Sequence, residues 1–289
     1  MKIKILIPVY NDWQSVFKLV DEIDSLSINS EYELSIVIVN DASNHDRDET
    51  VKEYNKLRSI KILNMKINQG HARCIATGLK YINEKEDYDY IIPMDGDGED
   101  RPEEILQFIE NINTSNNKPI VGERVKRSES LLFQICYKIH KLITLVFTGH
   151  TIKYGNFTCL PKDTVEKMTK EKATWNSFSG ALKKIEKDLI KVPSVRGSRY
   201  FGPSKMSFKN LITHSLSIIS VFRKTVLFRS ALFIVFYILL IKSNASIITL
   251  IPFVLLLIMI YSISSLSLRE NIDEYNNSLK NIEDITNLK

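Results

Sequence analysis

The chain is poor in cysteine. It holds three in 289 residues, Cys74, Cys136 and Cys159, odd in number and far apart. No CxxC pair occurs, so neither a disulfide framework nor a thiolate zinc site is indicated. Three reduced thiols fit a cytosolic environment. The opening MKIKILIPVYND does not read as a secretory leader. Its apolar run is short, and polar residues follow it rather than a small-residue cleavage site. An aromatic–basic recognition motif is also missing, and the basic residues stand beside apolar stretches, which argues against a nucleic-acid ligand. The remaining composition, 44% hydrophobic and 25% charged, is that of a globular protein. The net charge of +5 suggests an anionic partner such as a membrane surface or phosphates.

The first 125 residues alternate between two patterns. Short runs rich in Ile and Val, at 2–9, 33–40, 59–64, 89–94 and 118–123, read as buried parallel strands. Helical patterns lie between them, at 13–26, 46–57, 70–83 and 102–113. Pro102 suits a first helical turn, with Glu103 and Glu104 at the positive helix end. This alternation predicts an α/β fold with a doubly wound, mostly parallel sheet. Ligands bind such sheets beyond the carboxyl ends of the strands. Those ends carry Pro8-Val9-Tyr10-Asn11-Asp12, Asn40-Asp41-Ala42-Ser43, Asn68-Gln69-Gly70-His71 and Asp95-Gly96-Asp97-Gly98-Glu99. Polar and acidic residues from four places therefore converge on one edge.

The fourth stretch is unusual for a basic chain: six of the ten residues from Asp95 to Glu104 are acidic. If the segment is extended, Asp95, Asp97 and Glu99 point the same way and repel one another unless a cation sits among them. A hard divalent ion that keeps positions open for substrate phosphates is the natural partner. Gly96 and Gly98 would let the backbone approach a ligand closely. An EF-hand is excluded, because counting from Asp95 its sixth and twelfth positions hold Asp100 and Leu106. An aspartyl-phosphate phosphatase is disfavoured, because Glu99 stands where a hydroxyl residue is expected.

The character changes after Arg124. Residues 129–148 and 206–224 are apolar with interspersed Lys and His, as either helices lying in a membrane interface or ordinary core helices would be. From Ser243 to Leu268 there are 26 residues without a charge, and Ser230–Ile241 adds a further 12. A spanning helix needs about 20 residues, and Arg229 can snorkel to lengthen the shorter segment. The expected organisation is a catalytic domain over 1–225, a transmembrane hairpin over 226–268 with spans near 226–242 and 245–267, and a tail over 269–289. Arg223, Lys224 and Arg229 before the hairpin and Arg269 after it put both ends on the cytoplasmic side. The composition, rich in Asn and Ile, leans towards a bacterial inner membrane. The tail, with Ile272, Tyr275, Leu279 and Ile282 at helical spacing, reads as a short surface helix or an oligomer contact.

ILIPVYND, IVIVNDAS, NQGHARCIATGL and IIPMDGDGEDRPEEI resemble, in order and spacing, the motifs of glycosyltransferase family 2, whose members have the GT-A fold and use nucleotide-sugars. VGERVKR, YGNFTCLPKD and RGSRYFGPSKMSF narrow the resemblance to the polyprenyl-phosphate glycosyltransferases, the dolichyl-phosphate mannose synthases among them. It covers roughly residues 1–230. The resemblance implies that Pro8, Tyr10, Asp12, Asp41, Gly70, Asp95 and Gly96 line the nucleotide-sugar pocket, with Asp41 reading the base or ribose. It implies that Asp95, Asp97 and Glu99 hold Mg²⁺ or Mn²⁺ against the diphosphate. Arg124 and Arg127 would meet the acceptor phosphate, and Arg199 and Lys205 would bind phosphates and close over the site. Asp95, Asp97 and Arg124 are then the residues expected to carry the reaction, with inversion at the sugar. The chain also departs from the family pattern. Asn40 replaces an acid, DGDGE replaces the usual DxDLQ, and Gly155-Asn156-Phe157-Thr158 replaces Gly-Asp-Phe-Arg, which bears on specificity more than on the reaction. A glycan or glycerolipid hydroxyl acceptor, with Asp100 as general base, is the alternative enzyme reading. A non-catalytic membrane scaffold is the remaining one.

Overall fold

The structure, a computed structural model, describes residues 1–45, 47, 52–126, 131–203 and 207–289. Strand β1 (Lys2–Val9) alternates its side chains between two cores. Ile3, Ile5 and Ile7 enter one and Leu6 enters the other, so its sequence is a continuous apolar run. Strands β2 (Glu33–Asn40), β3 (Ser59–Met65) and β4 (Tyr90–Pro93) run parallel with it. Helix α1 (Trp13–Ser25) covers the first face with Val16, Leu19, Val20 and Ile23, joined by α3 (Ile105–Ile112) after a short 3₁₀ turn at Pro102–Glu104. Helix α2 (His71–Lys85) covers the second face with Cys74, Ile75, Leu79 and Ile82.

Beyond β4 the sheet becomes mixed. Strand β5 (Ile120–Lys126) is reached across the antiparallel β6 (Thr158–Pro161), and β7 (Ile190–Val195) runs parallel to β5 at the edge. The full order is β7-β5-β6-β4-β1-β2-β3-β8. The five strands expected from the sequence are all present. The helix expected over 46–57 is not helical in its described part, residues 52–57, and residues 46 and 48–51 lie outside the described set.

The long apolar segments are helices: α4 (Leu131–Thr148), α7 (Phe208–Ser220), α8 (Arg223–Ile241) and α9 (Ile247–Ser267), with α5 (Lys162–Lys170) and α6 (Phe178–Ile185) between the first two. Two of them, α8 and α9, are long and apolar enough to cross a membrane. They leave large aliphatic and aromatic side chains exposed, including Leu232, Val235, Phe236, Leu239 and Leu255. Ser246 and Thr249 form a reciprocal cap at the start of α9, and the Tyr237 hydroxyl donates to the Thr249 carbonyl across the turn. On α4 the apolar side chains Ile139, Leu142, Leu145 and Val146 are exposed as well.

The tail corrects the sequence reading. It does not lie apart as a surface helix. After α10 (Ile272–Asn276) it forms β8 (Ile282–Asn287), which pairs antiparallel with β3 and completes the sheet. Tyr275 is fully buried and stacks on Trp175, with ring centroids 5.5 Å apart. The Trp175 indole N–H donates to Glu274 at 2.9 Å, and Arg73 pairs with the same carboxylate at 3.1 Å. The chain thus leaves the sheet, traverses α8 and α9, and returns to it. Replacing Tyr275 with alanine removes the anchor of this return. Tyr275→Ala is expected to lower stability by about 3–5 kcal/mol, read as an earlier thermal transition in mild detergent and a changed Trp175 fluorescence.

Candidate functional site

Four loops meet at the carboxyl ends of the parallel strands, and hydrogen bonds tie them together. Asn11, in the left-handed region at φ 53°, donates its backbone N–H to the Ser43 hydroxyl oxygen at 2.9 Å. Its side chain exchanges two hydrogen bonds with Asn44, so the loops after β1 and β2 form one unit. Asn40 is part of the same frame. Its amide donates to Asn64 on β3, and its oxygen accepts from the Ser43 N–H. An amide can donate and accept at once, which a carboxylate there could not do.

Asp41 is buried, and its two oxygens accept the backbone N–H groups of Gln69 and Gly70 at 2.7 and 2.8 Å. In this structure both oxygens of Asp41, the residue expected to read the base or ribose, are engaged by backbone. It fixes the turn, with Gly70 at φ 91°, that starts α2. Pro8 is buried at the end of β1, and Tyr10 beside it is 46% exposed on the open edge.

Residues 95–100 form a turn, not the extended segment assumed from alternation. Gly96 allows it to press against β1 and α1: a Cβ there would stand 2.7 Å from Val16 and 3.1 Å from Ile7. Gly98 adopts φ +86° beneath the Tyr200 ring. The three carboxylates therefore diverge. Asp95 lies 3.3 Å from the His71 imidazole, and the Asn156 amide reaches both groups. Asp97 pairs with Arg199, and Glu99 with Arg196. Arg199 also donates to Asp12 at 2.8 Å. Backbone N–H groups of Gly197 and Tyr200 donate to the carbonyls of Glu99 and Asp97. Segment 196–200 is thus strapped over the acidic turn by both side chains and backbone.

Crowding shows in the acidities. Burial and the nearby Asp95 charge push the Asp97 carboxyl up to about 6, against the pull of Arg199 and Arg196. Burial and Asp95 push Asp100 up to about 7. Asp95 itself is held low: burial raises it, but the His71 imidazole, Arg124 and Arg196 outweigh that. Asp100 is turned inward and accepts the Asp95 backbone N–H at 2.9 Å.

Among the described residues no group of three or more His, Cys, Asp or Glu is arranged to hold a metal ion. Of the residues expected to hold such an ion, Glu99 is here turned to Arg196. Asp95 and Asp97 do suit one. They are hard oxygen donors whose mutual repulsion a cation would relieve, and Mg²⁺ is commonly held by one or two carboxylates plus substrate phosphates.

Arg124 on β5 is the register partner of Ser194 on β7, just before the strap begins. Its guanidinium packs on Gly155, where a Cβ would stand 2.9 Å from it, and its charge acts on Asp95 and Asp100. Among the described residues it has no carboxylate partner within ion-pair distance. His214 of α7 is close enough to Arg124, Asp95 and His71 to feel their charges, which sets an apolar helix beside the site. Arg127 and Lys205 lie outside the described residues. The sequence reading missed Arg196, His71 and Asn156. The motif NQGHARC contained His71, but nothing in its spacing gave it a partner.

The comparisons with known proteins agree with this geometry. The model of glycosyl transferase family 2 matches residues 4–175, more than half of the chain. Two curated relatives are undecaprenyl-phosphate 4-deoxy-4-formamido-L-arabinose transferases. That of Klebsiella pneumoniae is 23% identical over 73% of this chain and 64% of its own length. That of Photorhabdus laumondii is 26% identical over 73% and 65%. The chain thus spans less than two thirds of these relatives. Among solved structures, residues 1–349 of TarS of S. aureus with UDP-GlcNAc have a TM-score of 0.54 at 13% identity, covering 98% of this chain and 89% of that one. Glucosyl-3-phosphoglycerate synthase of Mycobacterium tuberculosis, with Mn²⁺ and UDP-glucose, has a TM-score of 0.56 at 10% identity, covering 78% and 79%. At these identities the likeness is one of fold, and it identifies the sheet and its covering helices as GT-A-like.

Asp41→Ala would leave two N–H donors of the α2 turn without partners. We expect a loss of roughly 1–3 kcal/mol for each unsatisfied donor, with amide exchange at Gln69 and Gly70 accelerated ahead of the rest of the sheet. The chain belongs to glycosyl transferase family 2.

Proposed function

We propose that the protein transfers a sugar from a UDP- or GDP-linked donor to the phosphate of a polyprenyl phosphate at a membrane surface. The observation that carries this reading is the division of charge at the sheet edge. The carboxylates of the acidic turn are paired with the arginines of the strap, whereas Arg124 on β5 acts on the same turn without a carboxylate partner of its own among the described residues, near the apolar helix that carries His214.

The donor diphosphate would lie over Asp95 and Asp97, between the strap and the loops after β1 and β2. Mg²⁺ or Mn²⁺ held by Asp95 and Asp97 would supply charge neutralisation for the leaving diphosphate. Arg199 now binds Asp97 and Asp12, and Arg196 binds Glu99. On donor binding these guanidinium groups turn to phosphate oxygens, for which their forked donors are suited. Arg124 binds the acceptor phosphate and holds it against its repulsion by the donor. An acceptor phosphate oxygen attacks the anomeric carbon, the bond to the diphosphate breaks, and the nucleoside diphosphate leaves. The attacking oxygen is already an anion near neutral pH, so a strong base is not required. Asp100, the base a hydroxyl acceptor would call on, faces inward and is hydrogen-bonded to backbone, which favours the phosphate acceptor.

The membrane part fits the same account. We read α8 and α9 as a hairpin whose two ends lie on one side of the bilayer, because β8 after it pairs with β3 before it. With the basic flanks at Arg223, Lys224 and Arg269, that side is the cytoplasmic one.

The test is turnover of purified full-length chain with Mn²⁺, a panel of UDP- and GDP-sugars and undecaprenyl phosphate. Lipid-dependent release of nucleoside diphosphate and formation of a lipid-linked sugar are expected. Asp97→Ala should abolish both. Arg124→Ala should lower turnover about 10²-fold while sparing nucleotide binding. Release of nucleoside diphosphate that ignores the lipid would point to another acceptor. Absence of donor binding would favour a scaffold.

A further inference from the structure

Strand β5 presents consecutive residues to opposite faces. Arg124 serves the carboxylate turn, and Glu123 faces away from it. Glu123 lines a cavity of about 210 Å³ between β5, β7, the connection before β6 and the end of α6. Lys153, Lys183, Lys187 and Lys191 line the same cavity, beside the buried ring of Tyr154.

The charges do not balance. Lys153 and Lys191 each approach Glu123 at 3.4 Å. Burial raises the Glu123 carboxyl, but these two ammonium groups outweigh it and keep the group ionised. Lys183 and Lys187 have no carboxylate within ion-pair distance among the described residues. Three positive charges in excess thus share one concave site. Four lysines against one carboxylate give the lining of this hollow a positive excess, which favours an anion. Pockets for drug-sized ligands run to about 300–1,000 Å³. This one is smaller and suits a phosphate with a short ester stem better than a nucleotide-sugar.

Its height in the molecule points to where the phosphate comes from. Burial, with the nearby charges of Lys183 and Arg229, holds the His150 imidazole low, so Lys183 stands close to that ring. The His150 ring lies 4.7 Å from that of Phe222, the residue preceding α8. Arg229, early in α8, donates to the Val146 carbonyl at the end of α4 at 2.8 Å. The cavity therefore neighbours the start of the first membrane-length helix, where lipid headgroups would lie.

We propose that Lys153, Lys183, Lys187 and Lys191 bind a phosphate group at a site separate from the carboxylate turn, and that an anionic lipid headgroup carries it. Such a contact would hold the open sheet edge at a fixed height above the bilayer. It does not depend on the glycosyl-transfer reading.

The test uses the full chain in a non-ionic detergent, titrated with dihexanoyl phosphatidylglycerol, dihexanoyl phosphatidylcholine and inorganic phosphate, with the thermal transition as readout. Phosphatidylglycerol should raise the transition, and phosphatidylcholine should not. In Lys183→Gln/Lys187→Gln the affinity for phosphatidylglycerol should fall roughly tenfold to thirtyfold. The transition without lipid should be unchanged. Lys183→Arg/Lys187→Arg should retain most of the affinity. Phosphatidylglycerol binding indifferent to the glutamine pair would overturn the site. Inorganic phosphate that binds as tightly as the lipid, with the same dependence on the lysines, would overturn the lipid assignment in favour of a soluble phosphorylated ligand.

Discussion

The structure turns on the gathering of like charges at one sheet edge. Asp12, Asp95, Asp97, Glu99 and Asp100 come within reach of one another because parallel strands deliver their carboxyl ends to the same side. Carboxylates so placed raise one another's pKa and resist burial unless countercharges are supplied. Here the countercharges are Arg196, Arg199 and His71, which together bind every carboxylate of the set except Asp100. Asp100 is instead satisfied by a backbone N–H. The arrangement is held from outside as well. Tyr200 donates to Glu22, and Lys18 sits 4.4 Å from the Tyr200 ring centroid, so the strap is fastened to α1. Under the proposed function Asp95 and Asp97 would hold a divalent cation and the arginines would turn to the phosphates of the donor, so that the two together would replace this strap.

The same edge borders the apolar helices, and the return of the tail to the sheet makes the two parts one unit. Tyr275 and Trp175 lock the segment after α9 to α2, and β8 then covers the edge of β3. An exposed edge strand would otherwise offer unpaired backbone groups. The exposed apolar faces of α4, α8 and α9 have no such cover among the described residues, which is the state expected of surfaces that meet lipid.

Much of this was legible in the sequence because buried parallel strands are simple. All five expected strands appear, with bounds shifted by at most three residues at either end. The helix pair α8 and α9 could be read from charge-free length alone. The failures have physical causes. Alternation predicted that Asp95, Asp97 and Glu99 share a side, but Gly96 and Gly98 permit a turn in which it does not apply. The hold of Asp41 on the α2 turn could not be read from the sequence, because its partners Gln69 and Gly70 are 28 and 29 residues away. The tail's Ile272, Tyr275, Leu279 and Ile282 fit a helical period, but β3 lacked a neighbour, and pairing decided the outcome for the last of them. Arg196 was invisible because its partner, Glu99, is 97 residues away in sequence.

The central claim is that the acidic turn binds its ligand through a divalent cation. The direct measurement is calorimetric titration of the full-length chain in detergent with UDP and GDP, with Mn²⁺ and again with a chelator. The account predicts binding of one of the two in Mn²⁺ and its loss on chelation. Equal affinity with and without the cation would contradict it.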